Sequence, residues 1–536
     1  MAEAEEPGPE DRKPKSDEAH SAFTPPPGME PEATEDQPTS EFALPEGFTP
    51  PGATATYSAQ HSPPAYTPAP TPSFPASSPW QDRMRTMLRM PVDVRPVPEP
   101  TQRQSEAGPA VGRVLDLTLR IGELLLAGGE GAEDVEAAMF AVARSYGLDR
   151  AEPTVTFTML SITHQPSLVG NPVSASRTVR RRGTDYTRLA AVFRLVADIS
   201  TPEVEISREE AYRRLAVIRR NRHPYPTWVL TGAAGLLAAA ASVLVGGGVT
   251  VFLCAALGAV LGDRLAWYFA DRGMPEFYQF VVAAMPPAAL GVALKFADSD
   301  VRASAVITGG LFALLPGRAL VAAVQDGLTG FYITASARLL EVMYLFIGII
   351  IGVLAVIYVG LQIGSSPNPD EVLQIPHRPV LQTLASMVLV FTFAILLQQE
   401  RSTVWIVTLN GGVAWVTFGA LRAAELPPVP STAIAAGLVG LFGQLFSRYR
   451  FTSALPYVTA AIGPLLPGSV TYFGLLSIAE GRLDKGLASL TNAAAIALAI
   501  AIGVNLGSET SRLFMRIPGA RTEAKRRAAA KRTRGF

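Results

Sequence analysis

The sequence predicts a mainly α-helical polytopic membrane protein: ten transmembrane helices in two inverted five-helix repeats, preceded by a small α+β cytoplasmic domain and a disordered N-terminal tail. Three observations carry that reading. From Thr227 to about Gly507 the chain consists of long apolar runs parted by short polar breaks, and a helix needs about 20 apolar residues to cross the hydrocarbon core. Composition agrees, with 48% hydrophobic and only 17% charged residues in a chain of 536. Residues 314–353 also align without a gap on residues 465–504, with eleven of forty positions identical.

Residues 1–107 hold 22 of the 44 prolines, in runs such as HSPPAYTPAPTPSFPASSP. A segment of this kind buries too little apolar surface to offset its ordering entropy, so it reads as disordered. Its opening, MAEAEEPGPEDRKPKSDEAH, lacks the apolar core of a signal peptide. One basic interruption, WQDRMRTMLRM, reads as linker, with contact to acidic lipid as the alternative.

Residues 108–222 read as the soluble domain. VGRVLDLTLRIGELLLAGG has helical spacing of apolar residues and ends on a glycine pair. GAEDVEAAMFAVARSYG is a second helix with acids in its first turn. EPTVTFTMLSITH alternates Val155, Phe157 and Met159 against threonines, as a half-buried strand does, and SASRTVRRRG is its pairing candidate. Two further helices are expected near 184–199 and 207–221.

Ten spans follow, near 227–246, 249–269, 275–295, 303–327, 333–361, 379–399, 402–422, 429–447, 452–479 and 484–507. They group as a first repeat, 227–361, and a second, 379–507. Gly258, Gly262, Gly437, Gly440 and Gly443 would let helices approach closely, and broad Gly/Ala faces permit a homo-oligomer. Arg213, Arg214, Arg219, Arg220 and Arg222 precede the first span, and nine basic residues lie in 509–536 after the last. The excess of positive charge puts both termini, including the basic 508–536 tail, in the cytoplasm of a plasma or inner membrane. Beside a final span, that tail reads as topology rather than nucleic-acid binding. The single cysteine, Cys254, excludes an intramolecular disulfide framework.

An odd number of spans per repeat inverts the second half, which is the architecture expected of a secondary transporter. Pro316-Gly317 and Pro467-Gly468 then fall at equivalent places in the fourth span of each half. Proline removes a donor and glycine permits a break, so each can leave half-helix ends at a binding site; a plain kink is the other reading. Across the 151-residue offset Arg318 meets Ser469, Asp326 meets Ser477, and Glu341 meets Asn492. Arg338 and Glu341, three apart, could pair on one helix. Charges in spans are costly and mark pathways, relays or internal ion pairs. Glu341 is the leading candidate for a buried protonatable carboxylate.

GEGAEDVEAAMFAVARSYGL, VTFTMLSIT and LLPGRALVAAVQDGLTGFYITASARLLE together resemble the threonine/serine exporter family, over roughly residues 108–508. The resemblance implies a cytoplasmic domain fused to a ten-span membrane region, and proton-motive-force-driven export of threonine and serine. It implies protons, a small-molecule substrate and the bilayer as partners, and neither cofactor nor metal. Some relatives of this kind are split into two chains linked to succinate export, so a dicarboxylate exporter is the alternative. On that expectation Arg318 or half-helix N-termini hold a substrate carboxylate, Glu341 or Asp326 holds the ammonium or the proton, and Asn492, Ser469 or Ser477 meets the hydroxyl. A hydrolase in the soluble domain, using His164, Ser161, Ser167, Glu130, Glu133 or Asp134, is a rival without a nucleophile elbow, metal spacing or phosphate loop. A regulatory role for that domain is compatible with export.

Overall fold

In a computed structural model of the chain, the residues described are 80–88, 111–167, 170–180, 183, 185–201, 203–220, 224–296, 303–363, 378–450 and 452–514. Most of the expected disordered tail and the C-terminal tail beyond Phe514 lie outside them.

The N-terminal part begins with α1 (Trp80–Leu88), in the stretch that reads as linker. Trp80, Met84 and Met87 recur at helical spacing and are buried, with the Trp80 ring 5.8 Å from Phe193. The stretch is therefore a packed helix. Next come α2 (Val111–Ala127) and α3 (Ala132–Ser145), then β1 (Ala151–Val155), β2 (Met159–His164) and β3 (Val173–Thr178). The sheet is antiparallel in the order β1-β2-β3, with Val155 opposite Leu160 and Ser161 opposite Ser176. The expected single strand is thus a hairpin. The chain reverses where the Thr156 amide donates to the Met159 carbonyl at 2.9 Å. That reversal resets the alternation, so Met159 is exposed and Leu160 buried. Helices α4 (Tyr186–Ser200) and α5 (Arg208–Arg220) complete this part close to their expected places.

The apolar region supplies α6 (Thr227–Leu244), α7 (Val249–Ala270), α8 (Glu276–Phe296), α9 (Ala303–Leu311), α10 (Gly317–Leu328) and α11 (Tyr332–Gln362). The second set is α12 (Pro379–Leu396), α13 (Arg401–Ala423), α14 (Pro428–Arg450), α15 (Leu455–Thr459), α16 (Gly468–Ala479) and α17 (Leu483–Phe514). Among the described residues, eight helices are long and apolar enough to cross a membrane. The run through α9 and α10 is bent by 56°, as a broken span or a re-entrant loop is, and counted as one span it brings the number to nine. The ninth expected span, 452–479, is divided between the short α15, a 3-10 turn at Gly463–Leu465 and α16, none of span length alone.

Packing repeats between the two sets. The third helix of each set lies against the last, α8 on α11 and α14 on α17. Helices α6 and α12 meet, and the second broken piece of each set touches the last helix of the other, α10 on α17 and α16 on α11. These crossings are tight because glycine sits where side chains would collide. A Cβ at Gly503 would lie 2.2 Å from the Ala433 carbonyl oxygen, and one at Gly440 would lie 2.3 Å from that of Val504. The expected close approach at Gly440 is therefore met on α17.

Gly503→Val should force α14 and α17 apart and destabilise the protein by at least ~1–3 kcal/mol, as overpacking does. Gly419→Ala, whose Cβ meets nothing within 4 Å, should leave stability unchanged or slightly raised. Thermal denaturation of the two purified variants beside the parent distinguishes them.

Candidate functional site

The paired Pro-Gly breaks have the same local geometry. On the first side Phe312–Leu314 forms a 3-10 turn, Leu315 is extended (ψ 122°), and Pro316 (φ −79°, ψ 41°) is the N-cap of α10. On the second, Gly463–Leu465 is the 3-10 turn, Leu466 is extended (ψ 134°), and Pro467 (φ −80°, ψ 29°) is the N-cap of α16. The Leu315 amide donates to Phe312 and the Leu466 amide to Gly463, so one hydrogen bond recurs at each break. Gly317 and Gly468 start the helices that follow. The side chains at Arg318 and Ser469 lie outside the described residues.

After the first break, α10 and α11 fold back on each other through a turn at Thr329–Phe331, in which Gly330 has φ +96°. This hairpin places Asp326, near the end of α10, beside Arg338, two turns into α11. Their Oδ2 and Nη1 atoms are 3.2 Å apart, and both side chains are almost fully buried. The described partner of Arg338 is therefore Asp326. The expected helical pairing of Arg338 with Glu341 gives way to one across the hairpin, and Glu341 is only half-buried. Ser477 is buried and Asn492 exposed. Neither they nor Glu341 line the cavity described next.

The N-terminal part covers the Asp326–Arg338 pair. Helix α3 starts at Gly131, which supplies no side-chain cap. Instead the Ala132 amide donates to Asp326 Oδ1 at 3.4 Å, so a carboxylate from the membrane region caps a helix of the N-terminal part. Arg338 Nη2 donates to the Glu130 carbonyl at 3.1 Å. The Glu130 carboxylate, itself buried, accepts from Ser453 Oγ at 2.9 and 3.1 Å. Ser453 Oγ accepts in turn from the Leu455 amide at the start of α15. One network thus joins α3 to both helix sets. Burial, with the Asp134 carboxylate alongside, pushes the Glu130 carboxyl well above the ordinary carboxylate range. Arg85, on α1, forms an ion pair with Asp134.

Further contacts seat the N-terminal part on the turn between α12 and α13. The Tyr186 and Thr187 amides donate to the Leu397 and Gln398 carbonyls, Tyr225 Oη donates to the Gln399 carbonyl at 3.0 Å, and Arg194 pairs with Glu400 at 2.6 Å. A cavity of about 520 Å³ lies under this cover. Its walls include Arg85, Glu130 and Asp134 from the N-terminal part, and Asp326, Arg338 and Thr452 from the helix sets. The last turns of α17, from Ile502 to Glu509, reach the same cavity.

Sequence reasoning placed Glu130 and Asp134 only among hydrolase candidates or at a helix N-terminus, and did not single out Ser453 or Arg85. Their signal was the GEGAEDVE stretch, whose acids crowd a helix start more densely than dipole complementarity needs. The hydrolase set does not assemble on β2: Ser161 and His164 are three apart on the strand and face opposite sides. Among the described residues no group of three or more His, Cys, Asp or Glu side chains is placed to hold a metal.

Residues 116–360 match a family model described as a threonine/serine exporter, and residues 382–509 match a second, "Threonine/Serine exporter, ThrE". The chain is 34% identical over 405 residues to the "Probable threonine/serine exporter" of Mycobacterium tuberculosis, covering 74% of this chain and 76% of that protein. The chain belongs to the threonine/serine exporter family. The "Threonine/serine exporter" of Corynebacterium glutamicum is 30% identical over 426 residues, covering 76% of this chain and 84% of that relative. No solved structure matches. Family membership and the apolar helices together make this a multi-pass membrane protein.

Removing one member of a buried ion pair strands the other, at a cost of roughly 3–5 kcal/mol. Asp326→Asn and Arg338→Gln should each destabilise the protein on that scale, and the double variant should lose clearly less than the sum. A double-mutant cycle on thermal or denaturant unfolding reads the coupling directly.

Proposed function

We propose that the protein exports threonine and serine across the cytoplasmic membrane, driven by the proton motive force, through ten spans arranged as inverted repeats. The observation that carries this reading is the buried Asp326–Arg338 pair at the end of a broken helix, opening on a cavity that reaches both helix sets. The names of the two relatives supply the substrate class. On this reading residues 108–222 are a cytoplasmic domain, 227–361 and 379–507 are the repeats, and both termini are cytoplasmic.

The contacts of the N-terminal part support the count of ten. It meets the chain before α6, at the α10–α11 hairpin, at the α12–α13 turn and just before α15, and its cavity receives the end of α17. If α9–α10 and α15–α16 each cross once, all of those points fall on one face. The second set then begins on the opposite face from the first, which is the inversion expected of secondary transporters.

The charge of the cavity favours an amino acid over a dicarboxylate. Its described lining contains five acids (Glu130, Glu133, Asp134, Asp326 and Glu509) and three arginines (Arg85, Arg338 and Arg448). Arg338 is already matched by Asp326. A zwitterion suits this balance, whereas a dianion requires a net positive site.

Inside-out vesicles carrying the protein, given a pH gradient, should accumulate labelled threonine, and a protonophore should abolish the accumulation. Asp326→Asn should lower the initial rate at least tenfold. Accumulation of succinate without threonine, or threonine uptake indifferent to the gradient, would overturn the proposal.

A further inference from the structure

The Glu130 carboxyl stands outside the Asp326–Arg338 pair, which engages the carbonyl of that residue alone. Glu130 lies between α2 and α3, is 3% exposed, and has Ser453 Oγ as its described side-chain hydrogen-bond donor. None of the described ion pairs includes its carboxylate: Arg85, whose charge acts on it, pairs with Asp134, and Arg338 pairs with Asp326. One neutral hydroxyl, a neighbouring acid hydrogen-bonded to it and an arginine already paired with that acid are weak compensation for burying a full negative charge. Such a carboxyl either keeps a proton or takes a cation.

The surroundings point to a ligand. The carboxyl adjoins a cavity of about 520 Å³, within the range of small-molecule sites. One buried polar atom on that wall, Thr452 Oγ1, has no described hydrogen-bond partner. The charged groups around Glu130 come from every element nearby: Arg85 on α1, Glu133 and Asp134 on α3, Asp326 on α10, Arg338 on α11, Arg448 on α14 and Glu509 on α17.

We propose that the cavity is a loading site for a small amino acid, and that Glu130 holds a proton in the empty site and exchanges it for the ammonium group of the bound molecule. The inference rests on the amino-acid reading above and adds a residue from the N-terminal part to the transport machinery. In the step, the Glu130 O–H bond breaks, the proton passes to water, and the carboxylate pairs with the ammonium. The amino acid itself is chemically unchanged. Its carboxylate faces the arginines of the remaining walls. Proton release is thereby tied to loading before any movement through the membrane. The upward displacement of the Glu130 carboxyl by burial runs in the direction that keeps a proton on it.

Isothermal titration of the full chain in detergent with threonine, near neutral pH in two buffers of different ionisation heat, tests the step. The parent should release about one proton per threonine bound, while Glu130→Gln should bind at least tenfold more weakly and release none. Ser453→Ala removes the hydroxyl that favours the ionised form, so its proton release should persist to higher pH. N-acetylthreonine, which has no ammonium, should release no proton from the parent. Threonine binding to the parent without proton release, or equal release from Glu130→Gln, overturns the proposal. Undiminished binding and transport by Glu130→Gln would remove Glu130 and leave the exporter reading standing. A parent that binds neither threonine nor serine would remove both.

Discussion

The salt bridge between Asp326 and Arg338 is the contact on which the rest of the site depends. It closes the α10–α11 hairpin, and it presents a carboxylate to the first amide of α3 and a guanidinium to the Glu130 carbonyl. Two opposite charges at 3.2 Å, both nearly buried, are held there only if their remaining hydrogen-bonding capacity is met. The N-terminal part helps to meet it. Cover and pair are therefore joined directly, through the Ala132 amide and the Glu130 carbonyl.

The two helix sets share a scaffold and differ in chemistry. Both break at Leu-Leu-Pro-Gly with the same turn, the same extended leucine and the same capping proline. Beyond the break they part company. Where the first set has Asp326 and Arg338, the second has Ser477 and Ser489 at the matching offset. The second set contributes instead through Ser453, just ahead of its broken stretch, which reaches Glu130 from the opposite wall. A near-symmetric frame thus encloses an asymmetric set of charges, as binding a molecule with distinct ends requires.

Much of the frame was legible in the sequence because it depends on local rules. Apolar run lengths marked the long helices, the 151-residue offset marked the repeat, and Pro-Gly marked both breaks. Asp326 and Arg338 were legible as costly charges in an apolar region, but their pairing was not. A three-residue spacing favoured Arg338 with Glu341, whereas the hairpin brings together residues twelve apart in sequence. The Glu130–Ser453 contact joins residues separated by 323 positions, which no periodicity can reveal. The hairpin within EPTVTFTMLSITH was missed for a simpler reason: strand alternation continues across Thr156–Thr158, and no glycine or proline announces the turn.

The N-terminal part is seated on the helix sets at the α10–α11 hairpin, the α12–α13 turn and the start of α15. The most direct measurement is cross-linking of Arg194→Cys with Glu400→Cys in a Cys254→Ser background, using a short bis-maleimide on native membranes and mass spectrometry of the linked peptides. These side chains form an ion pair at 2.6 Å across the junction. A high-yield link should form within one chain, unchanged by dilution of the protein. Failure of the link to form while each cysteine alone reacts with a monofunctional maleimide would contradict that seating.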